Sequence, residues 1–318
     1  MRIRTVLILG TTATVLALAS VWMGQQSYSW FPPQASAESQ LIDRLFSFLV
    51  TLGTFIFLGV TGALTYSVLF QQAGKYDTRD GPPIEGNVPL EIVWTAVPFV
   101  LAVWIAFYSY QIYTEMAILG PMEHAHGKSM LAASAIADPL EKVPVVPPAD
   151  AISPIEVRAR QWVWEFRYPD RNVTSTELHL PVNQRAKLML QSEDVLHGFY
   201  VPAFRIKQDI IPGRTIDFGF TPIREGRYRL RDSQFSGTYF AAMQADVVVE
   251  SPEAYQQWLT EAAAQPPTPA YNRAFEEYRL AQNPISTGWK TVEPAAPPLV
   301  NVSTGPANNP PSDEASKP

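Results

Sequence analysis

From residue 45 to residue 74 the chain carries no charged side chain, and the stretch LFSFLVTLGTFIFLGVTGALTYSVLF inside it is apolar and compatible with a helix. A helix needs about 20 such residues to cross the hydrocarbon core of a bilayer, so this run predicts a transmembrane helix. Residues 92–114, IVWTAVPFVLAVWIAFYSYQIYT, form a second uncharged run of spanning length. Trp94 lies near one end and Tyr108, Tyr110 and Tyr113 near the other, where interfacial aromatics belong. Pro98 inside the run is tolerable because neighbouring helices in lipid can accommodate a kink. Residues 38–116 therefore read as a transmembrane hairpin. Residues 5–23 are also apolar, behind Arg2 and Arg4, and Ala35-Ser36-Ala37 farther on has the small-x-small form of a signal-peptidase site. The interval between them is long for a signal peptide, so residues 1–37 stay open as either a cleaved signal or a third transmembrane helix. Sidedness is the same either way: Arg2, Arg4, Lys75 and Arg79 mark the inside, which places everything after about residue 116 on the periplasmic or lumenal side.

Residues 117–154 are rich in Ala and Pro and read as a connector laid over the outer surface. His124 and His126 could share a strand face and hold a metal, but no strand pattern surrounds them and no third ligand is near, so they read as solvated loop histidines. From residue 155 to residue 250 the pattern changes to short runs with period-two alternation: IEVRAR, WVWEFRY, AKLMLQ, RTIDFGF, GRYRLR and ADVVVE. Turn signals such as Tyr168-Pro169-Asp170, Ile211-Pro212-Gly213 and Arg224-Glu225-Gly226 separate them. Many short strands at this spacing predict a β-sandwich or barrel. Ser251 then caps a helix that begins at Pro252 and closes the domain by residue 265. Residues 266–318 are Pro-rich and read as a largely disordered tail, interrupted by one amphipathic candidate, YNRAFEEYRLAQ.

Composition narrows the chemistry. The 318 residues are 47% hydrophobic and 17% charged, with a formal charge of −6, which argues against a nucleic-acid surface. There is no cysteine and there are only four histidines. A disulfide framework, a thiolate nucleophile, an iron–sulfur cluster and a blue-copper site are all excluded.

The segments VPLEIVWTAVP (residues 88–98), RQWVWEFRYPD (160–170), SEDVLHGFYVPAFRIKQDIIPGR (192–214) and GTYFAAMQADVVVESP (237–252) closely resemble cytochrome c oxidase subunit II, in the family's order and over roughly residues 40–262. The resemblance implies a membrane α-hairpin, of two or three transmembrane helices, followed by a cupredoxin-like β-sandwich in an integral protein of a bacterial plasma or thylakoid membrane. It also implies a partnership with subunit I, and with subunit III, of a haem–copper terminal oxidase. In that family the outer domain holds a dinuclear copper centre, CuA, ligated by two bridging cysteines, two histidines, a methionine and a glutamate carbonyl. Matched position by position, one histidine is present as His197 and the methionine as Met243. The cysteines are replaced by Asp232 and Ser236, the glutamate by Gln234 and the second histidine by Phe240.

Two soft thiolates are what bridge and delocalise a CuA pair, and a serine hydroxyl with one hard carboxylate does not substitute for them. The expectation is that this chain binds no cofactor of its own, with haem and copper confined to subunit I. A mononuclear site from His197, Asp232 and Met243 is the competing idea, though its ligands are mixed in softness. Phe235 and Phe240 are expected to fill the volume of the lost cluster as apolar core. The family's docking aspartate persists as Asp209 and its electron-entry tryptophan as Trp162, the latter now expected to serve as core packing. From residue 155 to 250 there are 13 Lys and Arg against 12 Asp and Glu, whereas a docking face for a basic cytochrome should be negative.

The leading expectation is a subunit, without a catalytic centre of its own, of a proton-pumping oxidase that reduces oxygen to water and oxidises quinol at subunit I. In this it resembles the metal-free subunits of quinol oxidases and of a cyanobacterial alternative terminal oxidase. A soluble cytochrome feeding subunit I is one alternative, and a membrane-anchored assembly or binding module is another.

Overall fold

A computed structural model of the chain describes residues 3–72, 76, 86–116, 153–281 and 291–303. The connector at 117–152 with His124 and His126, the inside markers Arg2, Lys75 and Arg79, and the tail beyond residue 303 lie outside the described residues. The chain divides into two units, one of Met1–Phe31 with Leu41–Glu115 and the other of Pro32–Gln40 with Met116–Pro318.

The first unit is helical. Helices α1 (Ile3–Gln26), α2 (Ala37–Phe70) and α3 (Val88–Met116) are each long and apolar enough to cross a membrane. The uncharged runs explain them, since every backbone polar group in lipid must be satisfied within the segment. Asn87 caps α3, its Oδ1 accepting from the Leu90 amide at 3.2 Å, and Pro98 is carried inside that helix. Helices α1 and α2 meet where Ser47 Oγ donates to the Gly24 carbonyl at 2.8 Å. A Cβ on Gly24 would lie 1.9 Å from Thr51 Oγ1, so only glycine permits this approach. Between α2 and α3, Phe48 meets Trp104 and Tyr108 edge-on at 5.0 and 5.6 Å.

The second unit is a two-sheet sandwich. Its strands are β1 (Ile155–Arg160), β2 (Val163–Tyr168), β3 (Val173–Ser175), β4 (Leu178–Pro181), β5 (Ala186–Ser192), β6 (His197–Val201), β7 (Ile206–Ile210), β8 (Ile216–Phe220), β9 (Gly226–Asp232) and β10 (Gln244–Glu250). One sheet runs β3-β2-β1-β5-β8 and the other β4-β10-β9-β6-β7. The pairs β1–β5 and β4–β10 are parallel and the remaining pairs of these sheets antiparallel. Alternation along β1 buries Ile155, Val157 and Ala159 and turns Glu156, Arg158 and Arg160 outward. Between the sheets lie Trp164, Phe166, Leu188, Phe199 and Phe218, all essentially inaccessible. All six expected strands are present, joined by four that the alternation misses. Of these, β4 is buried at every position, so it shows no period of two.

Helix α4 (Pro252–Ala263) is capped by Ser251, whose Oγ accepts from the Ala254 amide at 3.2 Å. It docks through Trp258, which stacks on the His179 ring at 3.8 Å and 7°. That imidazole is held by Glu250 at 2.9 Å and Glu177 at 3.2 Å.

The expectation of a largely disordered tail needs correction for residues 266–281 and 291–303. Strands β11 (Thr268–Pro269) and β12 (Leu299–Val300) pair with each other, and α5 (Arg273–Ala281) follows the amphipathic segment. Val300 is fully buried, and Val302 bridges Ser175 in parallel while the amides of Asn301 and Val302 donate to the Thr174 carbonyl. The physical reason is that β3 is a sheet edge, whose open backbone groups are satisfied by this returning segment despite its proline content.

Candidate functional site

Strand β6 opens with His197 and β9 closes with Asp232, and the two run antiparallel with Phe199 opposite Asp232. The chain between β9 and β10 forms a loop whose base is pinned twice, by the Asp232 amide on the Met243 carbonyl at 3.1 Å and the Ser233 amide on the Gly198 carbonyl at 2.9 Å. Glycine at 198 is a requirement of this closure, because a Cβ there would sit 2.2 Å from Ser233 Oγ and 3.1 Å from the Gln234 amide.

Asp232 is the hub. Its Oδ1 accepts from the amides of Gly198 at 2.8 Å and Gln234 at 3.0 Å, while its Oδ2 lies 2.7 Å from His197 Nδ1 and accepts from Ser236 Oγ at 2.8 Å. The other face of the imidazole is equally engaged, with Nε2 2.9 Å from Asp194 Oδ1. Asp194 is fixed in turn by the amides of Gln161 at 2.6 Å and Val195 at 2.7 Å. The side chains of His197 and Asp232 are wholly excluded from solvent, whereas Asp194 retains 29% exposure.

Burial alone would lower the His197 pKa, but hydrogen bonds to Asp194 and Asp232, with their charges, raise it above the ordinary imidazole value. Burial pushes Asp194 the other way, yet its bonds to His197 and two amides hold it below the usual carboxylate range. The arrangement is therefore built to keep a proton on His197 between two carboxylates. It is not a nucleophile-activating triad, since Ser236 donates to the carboxylate and not to the imidazole.

Of the residues singled out in the sequence, His197, Asp232, Ser236 and Met243 come together in the buried interior of this corner. Gln234 contributes its backbone amide and Phe240 lies half-buried at the rim. The expectation that Phe235 and Phe240 form replacement core is not met: Phe235 is 79% exposed, and the two rings meet edge-on at 5.1 Å outside the buried cluster. Hydrogen-bonded polar groups occupy the interior in their place. Trp162 is buried directly beneath the loop, with its indole N–H donating to the Ser236 carbonyl at 3.1 Å and its ring edge-on to Tyr239 at 5.2 Å. Gly237 makes room for it at φ +116°, and a Cβ there would approach Trp162 Cζ2 to 2.8 Å. Asp209 stands apart on β7, partly exposed and paired with Lys207 at 3.4 Å. The participant not foreseen is Asp194; its signal was its place three residues before His197 in the segment SEDVLHGFY.

The profile for "Cytochrome C oxidase subunit II, transmembrane domain" matches residues 20–112, and that for "Cytochrome C oxidase subunit II, periplasmic domain" matches residues 171–251. Cytochrome c oxidase subunit 2 of Synechocystis sp. is 33% identical over 279 residues, covering 82% of this chain and 83% of the relative. The protein of the same name from Thermostichus vulcanus is 34% identical over 273 residues, covering 78% and 83% respectively. Among solved structures, the periplasmic domain of subunit II of cytochrome oxidase from Bradyrhizobium japonicum is 26% identical with a TM-score of 0.33, covering 35% of this chain and 92% of that one.

Proposed function

This chain belongs to the cytochrome c oxidase subunit II family, as a membrane subunit of a haem–copper terminal oxidase with its β-domain facing outward, and on that premise we propose that it serves an oxidase fed by quinol at subunit I, without a CuA centre between donor and haem. The observation that carries the reading is Asp232 at the place of a bridging ligand, accepting four hydrogen bonds.

The residues present do not fit CuA. The pair would need two thiolates, and the positions hold a carboxylate and a hydroxyl in a chain without cysteine. Both nitrogens of His197 already face carboxylates, so no ring lone pair is left pointing at a vacant position. The mononuclear alternative fares no better, because recruiting His197 and Asp232 would break the bonds that hold the loop and would join a soft thioether to a hard carboxylate.

Without CuA, the outer domain contributes structure. Trp162, the feature that would pass on electrons from a cytochrome donor, is otherwise occupied, its indole N–H holding the Ser236 carbonyl, while Asp209 stays partly exposed beside Lys207. The near balance of charge from residue 155 to 250 also leaves no acidic excess for a basic cytochrome. Haem, copper and the quinol site belong on this reading to subunit I, with subunit III as a further neighbour.

The test is to purify the complex with subunit I and to compare oxygen consumption driven by a quinol and by reduced cytochrome c, alongside copper analysis. The expected result is quinol-driven turnover, with all copper accounted for by subunit I. Cytochrome-driven turnover that Trp162→Phe abolishes would overturn it.

A further inference from the structure

The tripeptide Ala35-Ser36-Ala37 has the form of a signal-peptidase site, yet the sandwich uses it as a structural part. Ala35 makes two backbone hydrogen bonds to the sandwich, its amide donating to the Ala203 carbonyl at 3.1 Å and its carbonyl accepting from the Ile223 amide at 2.9 Å. Ser36 forms an antiparallel bridge with Pro222, and its Oγ donates to the Phe204 carbonyl at 3.0 Å. The Ala37 amide donates to the Thr221 carbonyl at 2.9 Å. Ahead of them the Pro32 carbonyl accepts from Arg205 Nη2 at 2.5 Å.

Immediately after the tripeptide, Ser36 also caps α2. Its Oγ accepts from the Ser39 amide at 3.0 Å, and Ser39 Oγ donates back to the Ser36 carbonyl at 2.6 Å. Glu38 is 2% exposed, and its carboxylate accepts from the Thr221 amide at 3.2 and 3.1 Å and pairs with Arg185 at 3.3 Å. Ala35, Ser36 and Ser39 are completely inaccessible. The residues form one continuous strap, with the polar groups of Ala35, Ser36, Glu38 and Ser39 held by the sandwich or by the first turn of α2.

Cleavage after Ala37 would remove the strap and leave a charged α-amino group on Glu38, in a place closed to water. It would strand the amide of Ile223 and the carbonyls of Ala203, Phe204 and Thr221, each of which has its partner in the tripeptide. The segment upstream does not have the dimensions of a signal peptide either. The apolar core of a signal peptide runs about 7–15 residues and ends close to the cut, whereas α1 has 24 residues, enough for about 36 Å of helix. It ends at Gln26, followed by a short 3-10 turn, Ser27–Trp30, and two prolines before the tripeptide.

From these contacts we infer that the mature chain is not cut at Ala37: it keeps α1 as a third membrane helix, and residues 32–40 are an integral edge of the outer domain. The inference rests on the strap and on the length of α1, and is indifferent to the electron donor.

Intact-mass measurement of the full-length chain, purified from membranes through a C-terminal tag, reads the mature N-terminus. A mass that includes α1 is the expected result, and an N-terminus at Glu38 or anywhere after α1 overturns the inference. Ala37→Leu, which places a bulky residue where signal peptidase requires a small one, should change the mass only by the substitution; a chain longer than the wild type would overturn it as well. Hydrogen exchange on the same preparation gives an independent reading of the strap. The amides of Ala37 and Ile223 should be protected to the same degree as those of β6, and exchange as fast as in exposed loops would refute the strap.

Discussion

Replacing Asp232 separates what its charge does from what its shape does. In Asp232→Ala, four donors lose their acceptor at once: His197, Ser236 and the amides of Gly198 and Gln234. Removing one partner of a buried ion pair costs about 3–5 kcal/mol, and this pair is wholly excluded from solvent. The stranded amides add to that less than their separate values, because the groups share one network. Asp232→Asn keeps an oxygen for the two amides and forfeits only the charge-assisted bonds on the other side, about 1.5–3 kcal/mol. The assay is denaturant unfolding of the purified chain, followed by tryptophan fluorescence, to which Trp162 and Trp164 under the loop contribute two of eight indoles. Combining Asp232→Asn with His197→Gln should cost less than the sum of the singles, with a coupling of about 0.5–3 kcal/mol. A loss below about 1 kcal/mol for Asp232→Ala, or strict additivity in the double variant, would refute the view that this network holds the loop.

Gly237→Ala should cost about 1–3 kcal/mol from backbone strain at φ +116°, and the enforced contact with Trp162 should shift its emission; an unchanged spectrum and stability would count against the packing described. At His179 burial pushes the pKa down, but hydrogen bonds to Glu177 and Glu250 raise it overall, while His179 and Arg227 hold Glu177 below its usual range against the opposing effect of burial. The histidine's contribution is complete below its unfolded value of about 6.5 and fades as pH rises through the raised one. That of Glu177 is complete above about 4.3 and fades as pH falls through the lowered one. The stability difference between wild type and His179→Gln should therefore peak between those two values, and a pH-independent difference would exclude the ion-pair account. Restoring the ligands with Asp232→Cys, Gln234→Glu, Ser236→Cys and Phe240→His should yield a chain that takes up two coppers and turns purple. Because Phe240 is only half-buried, its loss should cost less than the about 3–5 kcal/mol of a fully buried phenylalanine, and a folded variant that takes up no copper would mean the loop no longer has the ancestral geometry.

Legibility in the sequence followed burial geometry. The spans were visible because lipid demands long uncharged runs, and strands such as β1 and β5 because one face is dry and the other less so. Strand β6 escaped because His197-Gly198-Phe199 is buried on both faces, which removes the alternation. The ordered return of residues 291–303 escaped for another reason: proline-rich composition reports on a segment's own inability to form a core, and here the stabilising partner is the edge of β3, far away in sequence. The site was half legible. That positions 232–243 hold no cysteine is read directly from the sequence, but the sequence suggested that aromatic residues fill the space, whereas which side chains point inward is decided by the register of β6 against β9.

That register also explains why polar groups line the loop. The amides of Gly198 and Gln234 converge on residue 232, so an apolar side chain there would leave both without an acceptor, whatever volume it filled. Aspartate satisfies them, but a lone buried carboxylate is costly to desolvate and calls for a cation beside it. His197 can be that cation, and Asp194 steadies its far nitrogen so that the proton stays. On the proposed reading, an imidazolium at His197, between Asp194 and Asp232, takes the place of the metal without its redox role, since it offers no readily accessible one-electron couple. What survives is a rigid loop anchored on Trp162, and rigidity is what a subunit needs if its remaining task is to hold a fixed surface in a complex.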